Sequence, residues 1–281
     1  MHKPITAPQI VTLPVSDGYE IKARLWRGTR PRAVVYLHGI QSHGGWYERS
    51  GSLLARDGAS VLMPDRRGSG LNETARGDTP GLDRWLEDLT EHVAWLRRES
   101  GAARIDLVAV SWGGKPATIW AARNAHLVSR MLLIAPGIFP RVTISLISKA
   151  RIGLALLGDP QRRYPIPLND ARLFTENPVA QGWVDADPLK LTDATARFFY
   201  HSARLDVALS RVADESVMAR VDLALAGRDK IIRNDATVAW ISRISRGDFG
   251  IREFAEASHT LEFESQPDEF ESFLVKWNLA N

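Results

Sequence analysis

Ser111 is the residue whose surroundings point most directly to chemistry. It lies in the segment 109–114, Ala-Val-Ser-Trp-Gly-Gly, where an apolar run ends and helix-like sequence begins. A serine on such a strand-to-helix turn, with small residues beside it, is typical of the Gly-x-Ser-x-Gly nucleophile motif. Here Ala109 takes the place of the first glycine and Gly113 keeps the second. The segment predicts a serine nucleophile, and the alternative is a serine that only caps the helix.

A second motif, Leu-His-Gly-Ile at 37–40, follows another apolar run. A glycine-containing loop at the carboxyl end of a strand can present a free backbone N–H, and a tetrahedral oxyanion needs about two such donors. We assign these donors to the backbone N–H groups of Ile40 and Trp112. The alternative is an ordinary tight turn, and His38 itself is interpreted as structural.

A serine hydroxyl needs a neighbouring base, and the chain offers seven histidines. His259 follows the last predicted strand, so its loop is expected at the same sheet edge as Ser111. His43, in the loop after residues 37–40, is the competing candidate. The remaining histidines lie in the amino-terminal segment or in helical or inserted sequence.

The acid that orients the base is predicted to be Asp229, which follows the strand-like run 221–226. Asp235, six residues later at the start of a helix, is the second choice. Asp222 is expected to precede that strand and therefore to lie at the opposite edge. The chain order is serine, acid, histidine, which differs from the orders of the chymotrypsin and subtilisin triads.

These residues must be positioned by alternating strands and helices. The sequence predicts an opening hairpin and then short apolar strands separated by helices, a rhythm typical of βαβ units and a mostly parallel sheet. The predicted strands are 10–15, 19–26, 33–37, 60–63, 105–110, 131–135, 221–226 and 249–254, and the predicted helices are 46–56, 82–99, 114–123, 234–246 and 267–279.

The rhythm stops between residues 137 and 216, where scattered aromatic side chains occur and prolines at 160, 165, 167, 178 and 188 interrupt the pattern. We therefore predict a core domain of residues 1–137 and 217–281, interrupted by a cap or lid at 138–216. Within the cap, 141–163 combines leucines and isoleucines with five basic residues and one acid. Such a segment predicts either weak contact with an anionic membrane surface or an ordinary helix with solvated charges.

The chain resembles the α/β-hydrolases, and within them the monoacylglycerol lipase and lysophospholipase-like group with its serine-aminopeptidase-like relatives. The resemblance implies an α/β-hydrolase fold, a catalytic triad of Ser111, Asp229 and His259, the oxyanion donors Ile40 and Trp112, and a cap over the site. Asp65 and Arg66 are interpreted as holding their own loop. The resemblance rests on the segments 37–40, 63–70, 111–114, 227–229 and 258–261, which span most of the chain in the order of the family.

The sequence departs from the family's pattern at two places that bear on the identity of the substrate. Gln41-Ser42 stands where monoacylglycerol lipases often have Gly-Glu, and Trp112 is bulky where many relatives carry Met or another smaller residue. The hypothesis is hydrolysis of a small carboxylic ester, lipid-like or short, without cofactor or metal. An aminopeptidase, lactonase, thioesterase, carbon–carbon hydrolase or haloperoxidase-like activity could use the same triad, whereas a serine argues against the aspartate-dependent dehalogenases and epoxide hydrolases. A non-catalytic binding protein of this fold is the alternative of another class.

The composition of the chain argues against several other classes of protein. The chain has 281 residues, with 36 Lys and Arg against 33 Asp and Glu, a weak positive excess that gives no reason to expect nucleic acid. Without cysteine there is no disulfide or thiolate chemistry. No apolar run approaches the about 20 residues that span a bilayer, and the first residues do not read as a secretory signal. A cytoplasmic enzyme is predicted, and the sequence carries no signal for its oligomeric state.

Overall fold

An eight-stranded sheet forms the centre of the computed structural model, which describes residues 2–214 and 216–279. The strands of the chain are β1 (Gln9–Pro14), β2 (Glu20–Trp26), β3 (Ala33–Leu37), β4 (Ser60–Pro64), β5 (Ile105–Val110), β6 (Val128–Ile134), β7 (Arg163–Pro165), β8 (Asp193–Thr195), β9 (Arg220–Ala226) and β10 (Phe249–Phe254). The strand order in the large sheet is β1-β2-β4-β3-β5-β6-β9-β10, and β2 is antiparallel to the other seven strands.

Helices cover the sheet, which confirms the predicted α/β-hydrolase architecture. Strands β4 and β5 are buried along their whole length, as expected of strands with helices on both faces. The helices are α1 (Glu48–Leu54), α2 (Leu82–Ser100), α3 (Gly114–Arg123), α4 (Leu146–Gly158), α5 (Pro178–Ala186), α6 (Ala196–Ser210), α7 (Asn234–Ile244) and α8 (Asp268–Leu279). Helix α1 packs with α8, and α2 packs with α3.

The predicted core elements are present, with shifted ends. Helix α2 stops where predicted, because Gly101 adopts the left-handed conformation (φ 70°) that favours glycine. Helix α1 is shorter than expected, and a separate 3₁₀ turn at Gly44–Trp46 precedes it. The expectation that Asp222 precedes its strand was wrong, because β9 already begins at Arg220 and Asp222 pairs within it.

The segment between β6 and β9 adds no strand to the eight-stranded sheet in the described chain. It contains α4, α5, α6 and the two-stranded β7–β8 sheet, so it is more helical than its irregular sequence pattern indicated. Two of its prolines lie at the ends of elements: Pro178 is the first residue of α5, and Pro165 is the last of β7. Helix α6 packs on α2, α3 and α4. The division into a core and a 138–216 cap stays a prediction.

Candidate active site

Ser111 occupies a strained turn at the end of β5. Its φ is +51°, a conformation that costs a non-glycine residue free energy. The chain continues through a 3₁₀ turn at Ser111–Gly113 into α3. The turn fits tightly against the loop after β3, since a Cβ on Gly113 would lie 2.7 Å from the carbonyl oxygen of His38. The N–H of Gly137 donates to the Ser111 carbonyl at 2.7 Å, which fixes the turn from the other side.

The imidazole of His259 meets the hydroxyl of Ser111. The distance from His259 Nε2 to Ser111 Oγ is 2.9 Å, within the reach required of a general base. His259 lies in the loop after β10 and is 1% exposed. Neighbouring contacts hold this loop, because the Thr260 N–H donates to the Phe174 carbonyl at 2.9 Å and the Phe174 ring packs edge-on against the imidazole.

Asp229 binds the other ring nitrogen. Its Oδ2 lies 2.8 Å from His259 Nδ1, and its Oδ1 accepts from the N–H groups of Ile231 and Ile232 at 2.8 and 2.9 Å. Burial by itself would raise the pKa of Asp229, but the adjacent His259 and the donated hydrogen bonds outweigh it and lower the pKa below the ordinary value. An ionised Asp229 keeps the proton on Nδ1, which leaves the Nε2 lone pair facing Ser111.

The peptide between Gly39 and Ile40 is held by its carbonyl. The Gly39 oxygen accepts from His38 Nδ1 at 2.8 Å and from Arg66 Nη1 at 3.0 Å. In a trans peptide the C=O and N–H point in opposite directions. The two donors therefore turn the Ile40 N–H away from Arg66, and Ile40 lines the same cavity as Ser111.

The neutral imidazole of His38 joins two loops through its hydrogen bonds. Its Nε2 accepts the backbone N–H of Arg66 at 2.7 Å, so Nδ1 carries the proton donated to Gly39. Burial, aided by the neighbouring Arg66, lowers the pKa of His38 to about 3. The interpretation of His38 as structural agrees with these contacts.

Arg66 reaches beyond the loop that it was expected to hold. Its Nη2 donates to Ser69 Oγ at 2.7 Å within that loop, but also to the Ile40 carbonyl at 2.8 Å. The guanidinium lies 4.6 Å from the centroid of the Trp112 ring, and burial lowers the pKa of Arg66 to about 9. Asp65 matches the expectation, since its carboxylate accepts from the N–H groups of Gly44 and Leu71.

The large side chain of Trp112 packs between the core and the 138–216 segment. Its indole N–H donates to Ser202 Oγ on α6 at 2.9 Å, and its ring stacks on Phe198 and meets Trp85 edge-on. Among the residues that the structure describes, the backbone N–H of Ile40 donates no hydrogen bond, and that of Trp112 donates none outside its own 3₁₀ turn. The assignment of these two groups as oxyanion donors stays a prediction.

Gln41 and Ser42, the pair at which the sequence departs from the Gly-Glu of the related lipases, help to hold the loop after β3. Ser42 Oγ accepts the Gly39 N–H at 2.9 Å and the Tyr47 hydroxyl at 3.0 Å. The side-chain amide of Gln41 donates to Asn169 Oδ1 at 2.6 Å, and the backbone carbonyl of Gln41 accepts the Leu191 N–H at 2.9 Å. The loop after β3 is therefore braced internally and fastened to the 138–216 segment.

A cavity of about 250 Å³ is lined by Ser111, Ile40 and Trp112 together with parts of α3, α4 and α6. Its wall is mainly apolar, as is usual for small-molecule sites. Its other lining residues include the apolar Pro140, Val142, Ile144, Ile166, Leu168, Phe199, Ile231 and Ile232 and the polar Lys115, Thr143, Lys149, Ser202 and Asp206. Lys115 lies in no recognisable motif, and its place in the first turn of α3, four residues after Ser111, is the one sequence signal that could have found it.

The competing candidates lie elsewhere. His43 caps the 3₁₀ turn at Gly44–Trp46, and its Nε2 faces Asp187 at 3.0 Å instead of Ser111. Asp235 is exposed in the first turn of α7. Asp222 accepts from Trp277 Nε1 at 2.9 Å, near the start of β9. None of the three is hydrogen-bonded to Ser111 or His259 in the described chain.

Comparison with known proteins gives consistent matches. The family model described as "Serine aminopeptidase, S33" matches residues 29–266. Monoglyceride lipase of Rattus norvegicus is 29% identical over 124 residues, which are 43% of this chain and 41% of the rat protein, so the match spans about two fifths of that relative.

Two solved structures share the fold over nearly all of both chains. The monoacylglycerol lipase of Paleococcus ferrophilus superimposes with a TM-score of 0.80 at 22% identity, covering 92% of this chain and 98% of its own. A soluble variant of monoglyceride lipase from Saccharomyces cerevisiae, in complex with a substrate analogue, gives 0.81 at 16% identity, covering 98% and 97%.

Proposed function

The chain belongs to the serine aminopeptidase S33 family, and on that premise we propose that it is a serine hydrolase that cleaves carboxylic esters. The observation that carries the proposal is the continuous hydrogen-bonded chain from Ser111 Oγ through His259 to Asp229. Its nucleophile, base and orienting acid have the mutual geometry that acyl transfer requires.

The reaction proceeds in two halves. His259 Nε2 takes the hydroxyl proton as Ser111 Oγ bonds to the ester carbonyl carbon, and the carbonyl oxygen becomes an oxyanion facing the N–H groups of Ile40 and Trp112. The tetrahedral intermediate collapses, His259 gives its proton to the departing alkoxide, and the acyl group remains on Ser111. A water molecule deprotonated by His259 then attacks the acyl-enzyme and releases the acid. Asp229 stabilises the imidazolium that forms in each half.

The cavity supports a substrate with an apolar portion. Its wall of aliphatic and aromatic side chains would bury an acyl chain favourably, by about 25 cal/mol per Å² of apolar surface. We propose a lipid-like ester: a monoacylglycerol, a lysophospholipid or a short acyl ester. The names of the similar rat protein, a monoglyceride lipase, and of the similar Paleococcus ferrophilus structure, a monoacylglycerol lipase, agree with this class.

An aminopeptidase is the alternative suggested by the family's description. A peptide amino terminus is a cation, so its binding calls for an unpaired acid. Asp206 is the one acidic residue among the described residues that line the cavity, and its carboxylate is already paired with Lys115. The charge of the site therefore favours an ester over a peptide. A lactonase or thioesterase would use the same triad, and a non-catalytic binder would have no use for it.

We also propose weak contact of the 138–216 cap with a membrane surface. One face of α4 exposes aliphatic side chains, and the exposed cations Lys149 and Arg151 flank it, an arrangement suited to an anionic lipid interface. The exposed aliphatic residues of this face are Leu146, Ile147, Leu154 and Leu157. No described helix has the length and apolar character to cross a bilayer. A cytoplasmic location stays a prediction from the sequence.

The proposed function is tested with p-nitrophenyl esters of graded acyl length and with a fluorophosphonate probe. We expect ester turnover with a maximum at the acyl length that fills the cavity, and covalent labelling that disappears in Ser111→Ala. Labelling of another serine in Ser111→Ala, or no ester turnover by the folded wild-type protein, would contradict the proposal. For the membrane contact, vesicles with anionic lipid should retain the wild-type protein more strongly than Leu154→Gln, and equal retention would contradict it.

A further inference from the structure

Charged side chains interrupt the apolar wall of the cavity beside Ser111. Lys115, on α3, has a side chain that is only 8% exposed, and its ammonium group pairs with the carboxylate of Asp206 on α6. The Asp206 side chain is 50% exposed. A cation this deep in an apolar site needs a partner, because an unpaired buried charge is costly.

Lys149 adds a second cation to the same wall. It lies on α4, is exposed, and lines the cavity. No carboxylate lies within ion-pair distance of its ammonium group in the part of the chain that the structure describes. Two lysines against one aspartate leave the lining with one uncompensated positive charge.

The position of Lys115 connects these charges to the reaction. Lys115 lies in the first turn of α3, four residues after Ser111 in the 3₁₀ turn that leads into this helix, and both residues line the cavity. A neutral acylglycerol has no charged group that would form an ion pair with either lysine. An anion beside the ester would pair with Lys149 and compete with Asp206 for Lys115.

We propose that the preferred substrate is an ester bearing a carboxylate or phosphate group, which Lys149 and Lys115 bind while Ser111 attacks the carbonyl. This inference rests on the proposed ester hydrolysis and specifies its substrate class. The anion can be part of either the acyl or the alcohol portion, and the two arms of the experiment separate these sources.

Two matched substrate pairs test the proposal. In the acyl arm, the mono-p-nitrophenyl ester of glutaric acid is compared with p-nitrophenyl pentanoate. In the alcohol arm, a short-chain 1-acylglycerol 3-phosphate is compared with the same 1-acylglycerol. We expect a higher kcat/KM for the anionic ester in at least one arm, by about fivefold or more at low ionic strength, with the preference falling as salt is added.

Three variants locate the effect. Lys149→Met should lower the anionic-to-neutral ratio of kcat/KM about fivefold, whereas the control Arg162→Met removes an exposed cation that does not line the cavity and should leave the ratio unchanged. Asp206→Asn should raise the ratio, because it frees Lys115 for the substrate. The opposite signs of Lys149→Met and Asp206→Asn exclude a general loss of folding as the cause.

The possible outcomes are distinct. A preference for the neutral ester in both arms overturns this inference and leaves the esterase proposal standing. Equal effects of Lys149→Met and Arg162→Met also overturn it, because the effect would then come from net charge alone. No turnover of any of the four esters by the folded protein is a failure of the proposed function, and the inference falls with it.

Discussion

His259 Nε2 lies 2.9 Å from Ser111 Oγ, although 148 residues separate them along the chain. The topology of the sheet explains why these two side chains lie close together. Ser111 follows β5, Asp229 follows β9, and His259 follows β10, and these parallel strands end at one edge. Strand register brings the last two loops together, since Ala226 pairs with Phe254 at the ends of β9 and β10.

Replacement of Asp229 by Asn should lower kcat by about 10³- to 10⁴-fold with little change in KM. The amide would still fill the site but could not stabilise the imidazolium or keep the proton on Nδ1. Steady-state kinetics on a p-nitrophenyl ester measures the loss. Asp235→Asn is the matched control, because Asp235 is exposed and the same substitution there should leave kcat unchanged. Equal losses in the two variants would contradict the assignment of Asp229.

Arg66 is predicted to position the Ile40 N–H without touching the substrate. Arg66→Met removes the donors that hold the Gly39 and Ile40 carbonyls, so kcat should fall by up to about 10²-fold, the lower range for loss of one oxyanion donor. The affinity for a trifluoromethyl ketone, which mimics the tetrahedral intermediate, should fall in parallel, while KM changes little. Arg66→Lys should retain part of the activity, because one ammonium cannot reproduce the fork that binds two carbonyls. A rise in KM with kcat unchanged would rule out this positioning role.

The core elements and the convergence of the site could be predicted from sequence because both follow from local patterns. Largely apolar runs of strand length predict β5 and β9, a further strand is predicted at 249–254, and the carboxyl ends of parallel strands lie at a common edge. That rule predicts that Ser111, Asp229 and His259 lie together, and the structure brings them together. Their catalytic roles stay proposals.

Contacts that depend on the path of the 138–216 segment could not be predicted in this way. The pairing of Lys115 with Asp206 joins residues 91 positions apart, and the Trp112–Ser202 hydrogen bond joins residues 90 apart. Neither has a sequence signature, since both require α6 to pack on α3. The reach of Arg66 to the loop after β3 was missed for the same reason: two loops meet only in the folded chain.

The turn at Ser111 should tolerate no side chain at Gly113. A Cβ there would lie 2.7 and 3.0 Å from the backbone oxygens of His38 and Leu37, and backbone cannot move aside as a side chain tip can. Gly113→Ala should therefore lower the free energy of unfolding by about 1–3 kcal/mol and reduce kcat, measured by urea denaturation and ester turnover. In Gly153→Ala, on the open face of α4, nothing lies within 4 Å of the new Cβ, and stability should rise by about 0.5–1 kcal/mol. Equal responses at the two glycines would contradict the tight fit.

Acid sensitivity of the fold should come in part from two buried histidines. Burial, with Arg66 as the next cause, lowers the pKa of His38 to about 3, and burial lowers the pKa of His92 to about 4. In the unfolded chain both histidines have the ordinary pKa of about 6.5. Below that pH they are protonated in the unfolded chain but stay neutral in the folded chain until its lower pKa values are reached. Each group then makes the free energy of unfolding fall as the pH drops, by up to about 1.4 kcal/mol per pH unit, until its folded pKa is reached.

The variant His92→Leu isolates one of these two contributions. Between pH 6 and about pH 4.5 its free energy of unfolding should depend less steeply on pH than that of the wild type, by about one proton, or up to about 1.4 kcal/mol per unit. Urea denaturation at a series of pH values measures both slopes, and the comparison cancels the carboxyl groups that titrate in the same range. The absolute stability of the variant does not enter, because only the slopes are compared. Burial of His92 in α2 disfavours its protonated form in the folded chain. Identical slopes would contradict this prediction, because they would mean that His92 binds protons equally in the folded and unfolded chains.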